Sequence, residues 1–438
     1  MDSLYALFSH SINQLKPQRL VLALSGGVDS RVLLDLLSHY KQQHAIPCLA
    51  VHVHHGLSSN ADNWADLCRD WCQQSGVELA VERVQLDLTG RSIEESAREA
   101  RYQALAKHLQ MGDVMLTGQH SDDQLETFLL ALKRGSGPKG LSAMAKQMPF
   151  ANSTILRPLL TASRQQIEQY ATEHQLTWVE DESNQDTRFD RNFIRHQVAP
   201  ILQQRWPHFA SSVQRSSELC AEQEALLEEL LSEKLSQVMM ADNSLSITQL
   251  AKLSERVRGQ LIRMWLADLG QKMPSRDHLS KIWQQVALAR EDANPILNLS
   301  AGQIRRSGSF LYWVEAVKDI SAWQQNIALQ QVIELPEQLG TLQITCNTSG
   351  QLSQAALSQA PLRVMFNPEG LSAHPVGRGH SRKLKKLFQE FGVPSWQRRR
   401  MPILLCGEQV VAIADLFIDQ RFVGQDCELV WDKSTDVM

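Results

Sequence analysis

Cysteine is scarce in this chain of 438 residues: the seven present are odd in number and scattered, which does not describe a disulfide framework. Long apolar runs are missing as well. The best stretches, Leu20–Leu24 and Met401–Phe417, are too short or too broken by charge to supply the ~18–20 residues that cross a bilayer, so no membrane-spanning helix is expected. The opening Met-Asp-Ser-Leu lacks a basic segment followed by an apolar one and a small-residue cleavage site; no export signal is expected, and the cytoplasm is the expected compartment. Neither sign of charge dominates, with 44 Lys and Arg against 48 Asp and Glu, so any polyanionic partner must be met by local patches. There is no repeat at a fixed period and no G-x-x-x-x-G-K-[ST] phosphate loop.

What remains is the composition of an ordinary globular protein, 43% apolar and 21% charged. Length divided by ~150 gives about three domain equivalents. The first ~140 residues alternate buried-strand runs (Leu20–Leu24, Leu49–Val53, Leu79–Val84, Val114–Thr117) with helical ones (Val32–Tyr40, Ala61–Ser75, Ile93–Leu109, Asp123–Leu132), which predicts an α/β fold with a doubly wound parallel sheet. From Ser163 to about Ala289 amphipathic helices dominate, including a long one near Ser211–Leu235. Short strand-like runs follow at 296–299, 302–306 and 310–314, and the last part mixes strands at 342–346, 362–366, 403–406 and 410–414 with a basic helix over Arg382–Phe391. The expected division is therefore an α/β domain over 1–215, a mainly helical middle domain over 216–320 and a small mixed α/β domain over 321–438.

The strongest local signal is the Leu20–Leu24 strand running into Ser25-Gly26-Gly27-Val28-Asp29-Ser30 and then a helix. Two glycines allow close backbone approach, so loop N–H groups and serine hydroxyls can converge on phosphate oxygens at the positive end of that helix. A carboxylate, Asp29, stands where other phosphate loops carry lysine, which implies Mg²⁺. After the fourth strand comes His120-Ser121-Asp122-Asp123-Gln124-Leu125-Glu126-Thr127. Asp123 and Glu126 are three apart and share a helix face, where together they can hold a metal, and the loops after strands one and four of such a sheet open at the same edge, bringing Asp29 and Asp123 into one cleft. Arg191 and Arg195, four apart beyond the polar loop 181–186, can face a phosphate together. Gly135–Gly140 satisfies G-x-G-x-x-G but follows a helix, so the dinucleotide reading fails; it reads as a loop lining the site, with Lys133, Arg134 and Lys139 available for phosphates. Between Arg378 and Arg400 eight cations, Arg382, Lys383, Lys385, Lys386, Arg398 and Arg399 among them, face one acid, Glu390, as a nucleic-acid-binding patch would require. Cys68 and Cys72 with His52, His54 and His55 allow a metal cluster on paper, but no second Cys pair at ligand spacing supports one.

With these motifs in view, the chain resembles the PP-loop (N-type) ATP pyrophosphatase superfamily. His52–Leu57, His120–Thr127, Arg134–Leu141, Arg157–Leu160, 181–195 and Arg382 through Pro394 together are similar to the tRNA(Ile)-lysidine synthetase family in its long form. That resemblance implies an ATP-dependent carbon–nitrogen ligase of tRNA modification. ATP adenylates the C2 oxygen of the wobble cytidine in the tRNA(Ile) with anticodon CAU, the ε-amine of free L-lysine displaces AMP, and the tRNA passes from Met/AUG to Ile/AUA specificity. Catalysis is then expected from Asp29, Asp123, Glu126, Arg191 and Arg195, with Asp122 or Glu126 as acceptor of the lysine proton. Nucleotide binding is expected from Ser25–Ser30 and His52, Mg²⁺ binding from Asp29 and Asp123, and tRNA binding from the cations above. Two alternatives stay open: a PP-loop tRNA thiolase, although no C-x-x-C exists here, and a non-catalytic tRNA-binding homologue. Whether the chain acts as monomer or homodimer is open too.

Overall fold

The computed structural model describes residues 3–56, 58, 60–86, 93–290 and 293–433, which leaves Leu57 of the histidine motif outside. Contacts divide the chain into two compact units, residues 1–229 and 230–438. Among the described residues no helix is long and apolar enough to cross a membrane.

The first unit opens with α1 (Ser3–Asn13) and continues through β1 (Arg19–Ala23), α2 (Val28–Gln43), β2 (Cys48–His54), α3 (Ala61–Gln74), β3 (Glu78–Arg83), α4 (Ile93–Ala106), β4 (Asp113–Leu116) and α5 (Ser121–Lys133). A single turn, α6 (Pro138–Leu141), and a hairpin of β5 (Gln147–Phe150) and β6 (Ser153–Leu156) follow. The strands form one sheet in the order β3-β2-β1-β4-β6-β5, parallel except for the edge strand β5. Successive residues of β1 are buried on opposite faces. Leu20 and Leu22 join α1, α2 and α3 in one core, while Val21 meets Val51, Leu105 and Met115 in another, so both faces are covered, as a parallel sheet requires. Strand order reverses between β1 and β4, and the crevice beyond their carboxyl ends is where such sheets take ligands.

The unit is completed by α7 (Arg164–Glu173), the one-turn α8 (Asp190–Phe193), a π-type turn over Ile194–Val198, α9 (Ala199–Arg205) and the long α10 (Phe209–Val238), which runs on into the second unit. Ser163 caps α7 by accepting a hydrogen bond from the Gln166 N–H.

In the second unit β7 (Leu245–Ser246), β8 (Ile296–Leu299), β9 (Gly302–Ser307) and β10 (Phe310–Glu315) form an antiparallel sheet beside α11 (Ile247–Ala251), α12 (Glu255–Asp268) and α13 (Arg276–Lys281). Trp265 is fully buried there and donates its indole N–H to the Asn243 carbonyl at 2.7 Å. The remainder holds more strand than expected. It comprises β11 (Gln324–Asn326), β12 (Val332–Glu334), β13 (Thr341–Cys346), β14 (Leu362–Met365), β15 (Ser372–Ala373), β16 (Arg382–Lys383), β17 (Ile403–Cys406), β18 (Gln409–Ile413), β19 (Phe417–Ile418) and β20 (Cys427–Asp432), with α14 (Gln354–Leu357) and α15 (Leu384–Glu390). A five-stranded sheet, β11-β14-β17-β18-β19, and a three-stranded one, β12-β13-β20, share a core around Leu342, Ile344, Val364 and Phe366. The basic helix is shorter than the charge pattern suggested: Arg382 and Lys383 pair with Ala373 and Ser372 as strand, and the helix begins at Leu384.

Candidate functional site

The phosphate loop turns on Gly26, whose φ of +94° lies where side chains are strained. Inside the turn the Ser30 hydroxyl accepts the N–H groups of Ser25 (3.2 Å) and Gly26 (3.1 Å) and donates to the Gly27 carbonyl (3.0 Å). Ser30 is thus the internal strut of the loop. Gly27 is the N-cap of α2 and offers no side chain to the first-turn N–H groups, so the anion-binding end of the helix carries no side-chain cap. His52 is buried, and its Nδ1–H donates to the Leu24 carbonyl at 2.9 Å with Cys68 Sγ 3.6 Å away. Through this bond the ring braces the end of β1.

The β4–α5 loop lies directly against this turn. A Cβ placed on Gly118 would stand 3.1 Å from Asp29 Cβ and 3.3 Å from the Ser30 nitrogen, so any larger residue would require the neighbouring loop to give by a few tenths of an ångström. The consequence is a convergence of acids on His120, which is 3% exposed. Its Nε2 is 3.7 Å from Asp29 Oδ1 and 3.3 Å from Asp123 Oδ2, and its Nδ1 is 3.5 Å from Asp122 Oδ2. Burial opposes protonation of this ring, but the hydrogen bond to Asp122 and the charges of Asp123 and Asp29 outweigh it and raise its pKa. Asp29 is shifted upward by burial, against the pull of His120 and Arg164. Arg164 donates to its Oδ2 at 2.8 Å, whereas its buried Oδ1 has no hydrogen-bond partner. Asp122 goes the other way. Burial would raise it, but His120, the Arg164 N–H and the Gln203 amide all bond it and hold its carboxyl well below the usual range. With both oxygens engaged, Asp122 accepts a proton only after an exchange of partners.

A buried Asp29 oxygen free of hydrogen bonds, with the Asp123 carboxylate on the other side of His120, is donor chemistry that Mg²⁺ can use, since that ion takes one or two carboxylates and completes its shell with phosphate and water. Among the described residues no three His, Cys, Asp or Glu side chains are arranged to hold a metal by themselves, so a histidine–cysteine cluster is not formed and an ion here would depend on the nucleotide's oxygens.

Glu126 is the most enclosed acid of the group, at 1% exposure. Arg191 Nε donates to its Oε2 at 2.7 Å, and Arg195 donates to Oε1 at 2.6 Å and to Oε2 at 3.0 Å. Arg195 also reaches Asp123 Oδ1 at 3.1 Å. Asn192 fixes this presentation by donating to the carbonyls of Ser183 and Asp186, tying the polar loop to α8. Asp123 therefore has both oxygens engaged, and its use as a metal ligand requires an exchange of partners.

The Gly135–Gly140 segment forms the turn after α5, at the opposite end of that 13-residue helix from Asp122 and Asp123, about 18 Å along its axis. Lys133 is paired there with Asp190 (2.6 Å) and Lys139 with Glu228 (2.9 Å), while Arg134 is exposed. In the second unit Arg382 and Arg378 both pair with Glu390, Arg399 pairs with Glu369, and Arg398 donates to the Val393 carbonyl. Lys383, Lys385 and Lys386 are exposed.

Sequence reasoning missed Gly118, Arg164 and the role of Val179, whose N–H donates to the Gly26 carbonyl at 3.0 Å and pins the turn from the far side. Gly118 alone carried a signal, as the residue between β4 and the His120 motif. The thiols count against sulfur delivery: burial pushes Cys68 and Cys72 up to about 12 and Cys48 up to about 11.

Comparison with known proteins places this geometry. The PP-loop domain matches residues 3–202, the TilS substrate binding domain residues 245–312, and the TilS substrate C-terminal domain residues 362–433. A tRNA(Ile)-lysidine synthase of Vibrio vulnificus strain YJ016 is 60% identical over 437 residues, covering 99% of this chain and 100% of its own. One from Vibrio parahaemolyticus serotype O3:K6 strain RIMD 2210633 is 58% identical over 438 residues at 99% and 100% coverage. One from Photobacterium profundum is 51% identical over 432 residues at 98% and 98%.

Proposed function

Because the chain belongs to the tRNA(Ile)-lysidine synthase family, we propose that it ligates free L-lysine through its ε-amine to C2 of the wobble cytidine in the CAU-anticodon isoleucine tRNA, using ATP and releasing AMP and pyrophosphate. The observation that carries the reading at residue level is the contact of Gly118 with the Asp29–Ser30 backbone, which seats Asp29, His120 and Asp123 together at the switch point of the sheet.

In this reading the first-turn N–H groups of α2 bind the pyrophosphate end of ATP, with Ser25, Gly26, Gly27 and Val28 shaping the cradle and Ser30 bracing it. Asp29 and Asp123 would hold Mg²⁺, which supplies neutralising charge to the leaving pyrophosphate. Arg191 and Arg195 place two guanidinium groups beside that charge. A C2 oxygen is a poor leaving group, and its adenylation divides one hard substitution into two easier ones. The attacking amine, with a reference pKa of ~10.4, must shed a proton, and Asp122 or Glu126 is the proposed acceptor, in either case after an exchange of partners, since Asp122 is bonded by Arg164 and Gln203 and Glu126 by Arg191 and Arg195. The target base leaves its stack to enter the cleft. Phosphate contacts by Arg382, Lys383, Lys385, Lys386, Arg398 and Arg399, with Lys133, Arg134 and Lys139 on the first unit, position the tRNA body. The three-part division at 1–215, 216–320 and 321–438 and action in the cytoplasm belong to the same proposal.

The test is incubation of the purified chain with CAU-anticodon tRNA(Ile), labelled lysine, ATP and Mg²⁺. Lysine should enter the tRNA in step with AMP release. AMP release without lysine incorporation, or sulfur entering in its place, overturns the reading.

A further inference from the structure

Two thiols of the second unit face each other across neighbouring strands of the sheet β12-β13-β20. Cys346, the last residue of β13, stands in register with Cys427, the first of β20, and their sulfur atoms are 3.4 Å apart although the residues are 81 positions apart in sequence. The next pair along, Asn347 and Asp426, is joined by the Asn347 N–H donating to the Asp426 carbonyl at 3.0 Å. In an antiparallel ladder bonded and non-bonded pairs alternate, so Cys346 and Cys427 occupy a non-hydrogen-bonded site, where Cα atoms come to about 4.5 Å and side chains are closest. That separation lies within the span a disulfide bridges, about 4.4–6.8 Å.

The backbone around Cys427 is held from its other side. Its N–H and carbonyl exchange hydrogen bonds with Leu352 at 3.0 and 2.8 Å, and Gly350 approaches its carbonyl so closely that a Cβ there would stand 2.0 Å from the oxygen. Bond formation is thus left to side-chain rotation, not to a shift of strands. The two thiols also differ in access: Cys346 is half-buried, whereas Cys427 is fully buried.

We propose that Cys346 and Cys427 are an oxidation site of this chain, closing to a cross-strand disulfide when the protein meets a hydroperoxide. Cys346 reacts first as thiolate. Its sulfur takes one peroxide oxygen, the O–O bond breaks, and water leaves once the second oxygen is protonated, giving a sulfenic acid. The Cys427 sulfur then attacks the Cys346 sulfur, the S–O bond breaks, and the departing hydroxide carries off the Cys427 proton as water. The two thiols supply the two electrons that reduce the peroxide. The order of events agrees with burial, which together with the Cys346 hydrogen bond pushes the Cys427 thiol up to about 11 and keeps it protonated until its partner is activated. The product ties the final strand β20 to β13 by a bond that a dithiol reverses.

The test treats the full-length reduced chain with stoichiometric hydrogen peroxide, counts thiols after unfolding in denaturant, and maps cross-linked peptides by mass spectrometry. Two of the seven thiols should be lost, with one cross-link joining the peptides of Cys346 and Cys427, and a dithiol reductant should restore all seven. In Cys346→Ser, Cys427 should remain a free thiol under the same treatment. A Cys346 carried to sulfinic acid beside an intact Cys427, a cross-link joining other cysteines, or retention of all seven thiols would each overturn the proposal.

Discussion

Arg195→Ala is expected to be the costlier of two superficially similar changes at the acid–arginine cluster. Arg195 supplies two of the three guanidinium hydrogen bonds to Glu126 and one more to Asp123 at 3.1 Å, whereas Arg191 supplies one short bond to Glu126 and two long ones, to Asp123 at 3.5 Å and to the Thr127 hydroxyl at 3.4 Å. A hydrogen bond to a charged group is worth roughly 1.5–3 kcal/mol. Since about a third of the Arg195 side chain is exposed, that figure is discounted for solvent to about 2–4 kcal/mol in total for Arg195→Ala, and about 1–2 for Arg191→Ala. For a unit of this size 1 kcal/mol moves the melting temperature by about 2–4 °C, so the first unit's transition should fall by roughly 5–10 °C in Arg195→Ala and by about half as much in Arg191→Ala. The sign of the coupling is a sharper test. Most of the Arg195→Ala cost is a carboxylate left buried without its partner, so Glu126→Gln made in the same chain should recover part of it. Differential scanning calorimetry of the four chains measures both quantities. Equal losses for the two arginines, or a double variant no more stable than Arg195→Ala, would refute this account of the cluster.

Three further outcomes follow from other parts of the structure. Gly118→Ala forces a Cβ into the 3.1–3.3 Å gap at Asp29 and Ser30, and displacement of the acid by a few tenths of an ångström should lower adenylation about 10- to 100-fold while melting falls only slightly; wild-type pyrophosphate release would contradict the contact. Replacing Lys383, Lys385 and Lys386 together by Ala should reduce the salt dependence of tRNA binding by about 2–3 in slope, read by filter binding across ionic strengths, and an unchanged slope would remove these lysines from the interface. Cys68 and Cys72, both held near 12, should resist iodoacetamide at pH 8 while the half-buried Cys220 is alkylated, as peptide mass spectrometry would show; early labelling of Cys68 would mean that the region behind the phosphate loop opens readily.

The βα units were legible because burial on both faces writes each strand as a short apolar run: Leu20–Leu24 was expected and Arg19–Ala23 found, Leu49–Val53 expected and Cys48–His54 found. The β5–β6 hairpin was not legible. Each strand has four residues, and Pro149 lies within β5, which is tolerated because that strand is an antiparallel edge. Asp29, Asp123 and Glu126 could be grouped in advance, since topology brings the loops after β1 and β4 to one edge. Arg164 could not: it pairs with Asp29 from 135 positions away and reads locally as the first residue of a well-capped helix. The partner of His52 was hidden for a related reason: only the structure shows its Nδ1 donating to the Leu24 carbonyl, 28 positions away. Charge density over 382–391 likewise fixed the patch but not its form, since Arg382 and Lys383 pair as strand.

The most direct test of the central claim is a single-turnover reaction with lysine left out. With tRNA, ATP and Mg²⁺, the wild-type chain should release pyrophosphate and accumulate tRNA adenylated at the wobble cytidine, detected by mass spectrometry of nuclease fragments. Asp29→Ala should form none while binding tRNA within about twofold of wild type, because in the proposed reading Asp29 serves the nucleotide and the phosphate contacts of the tRNA come from other residues. Undiminished pyrophosphate release by Asp29→Ala would contradict the account.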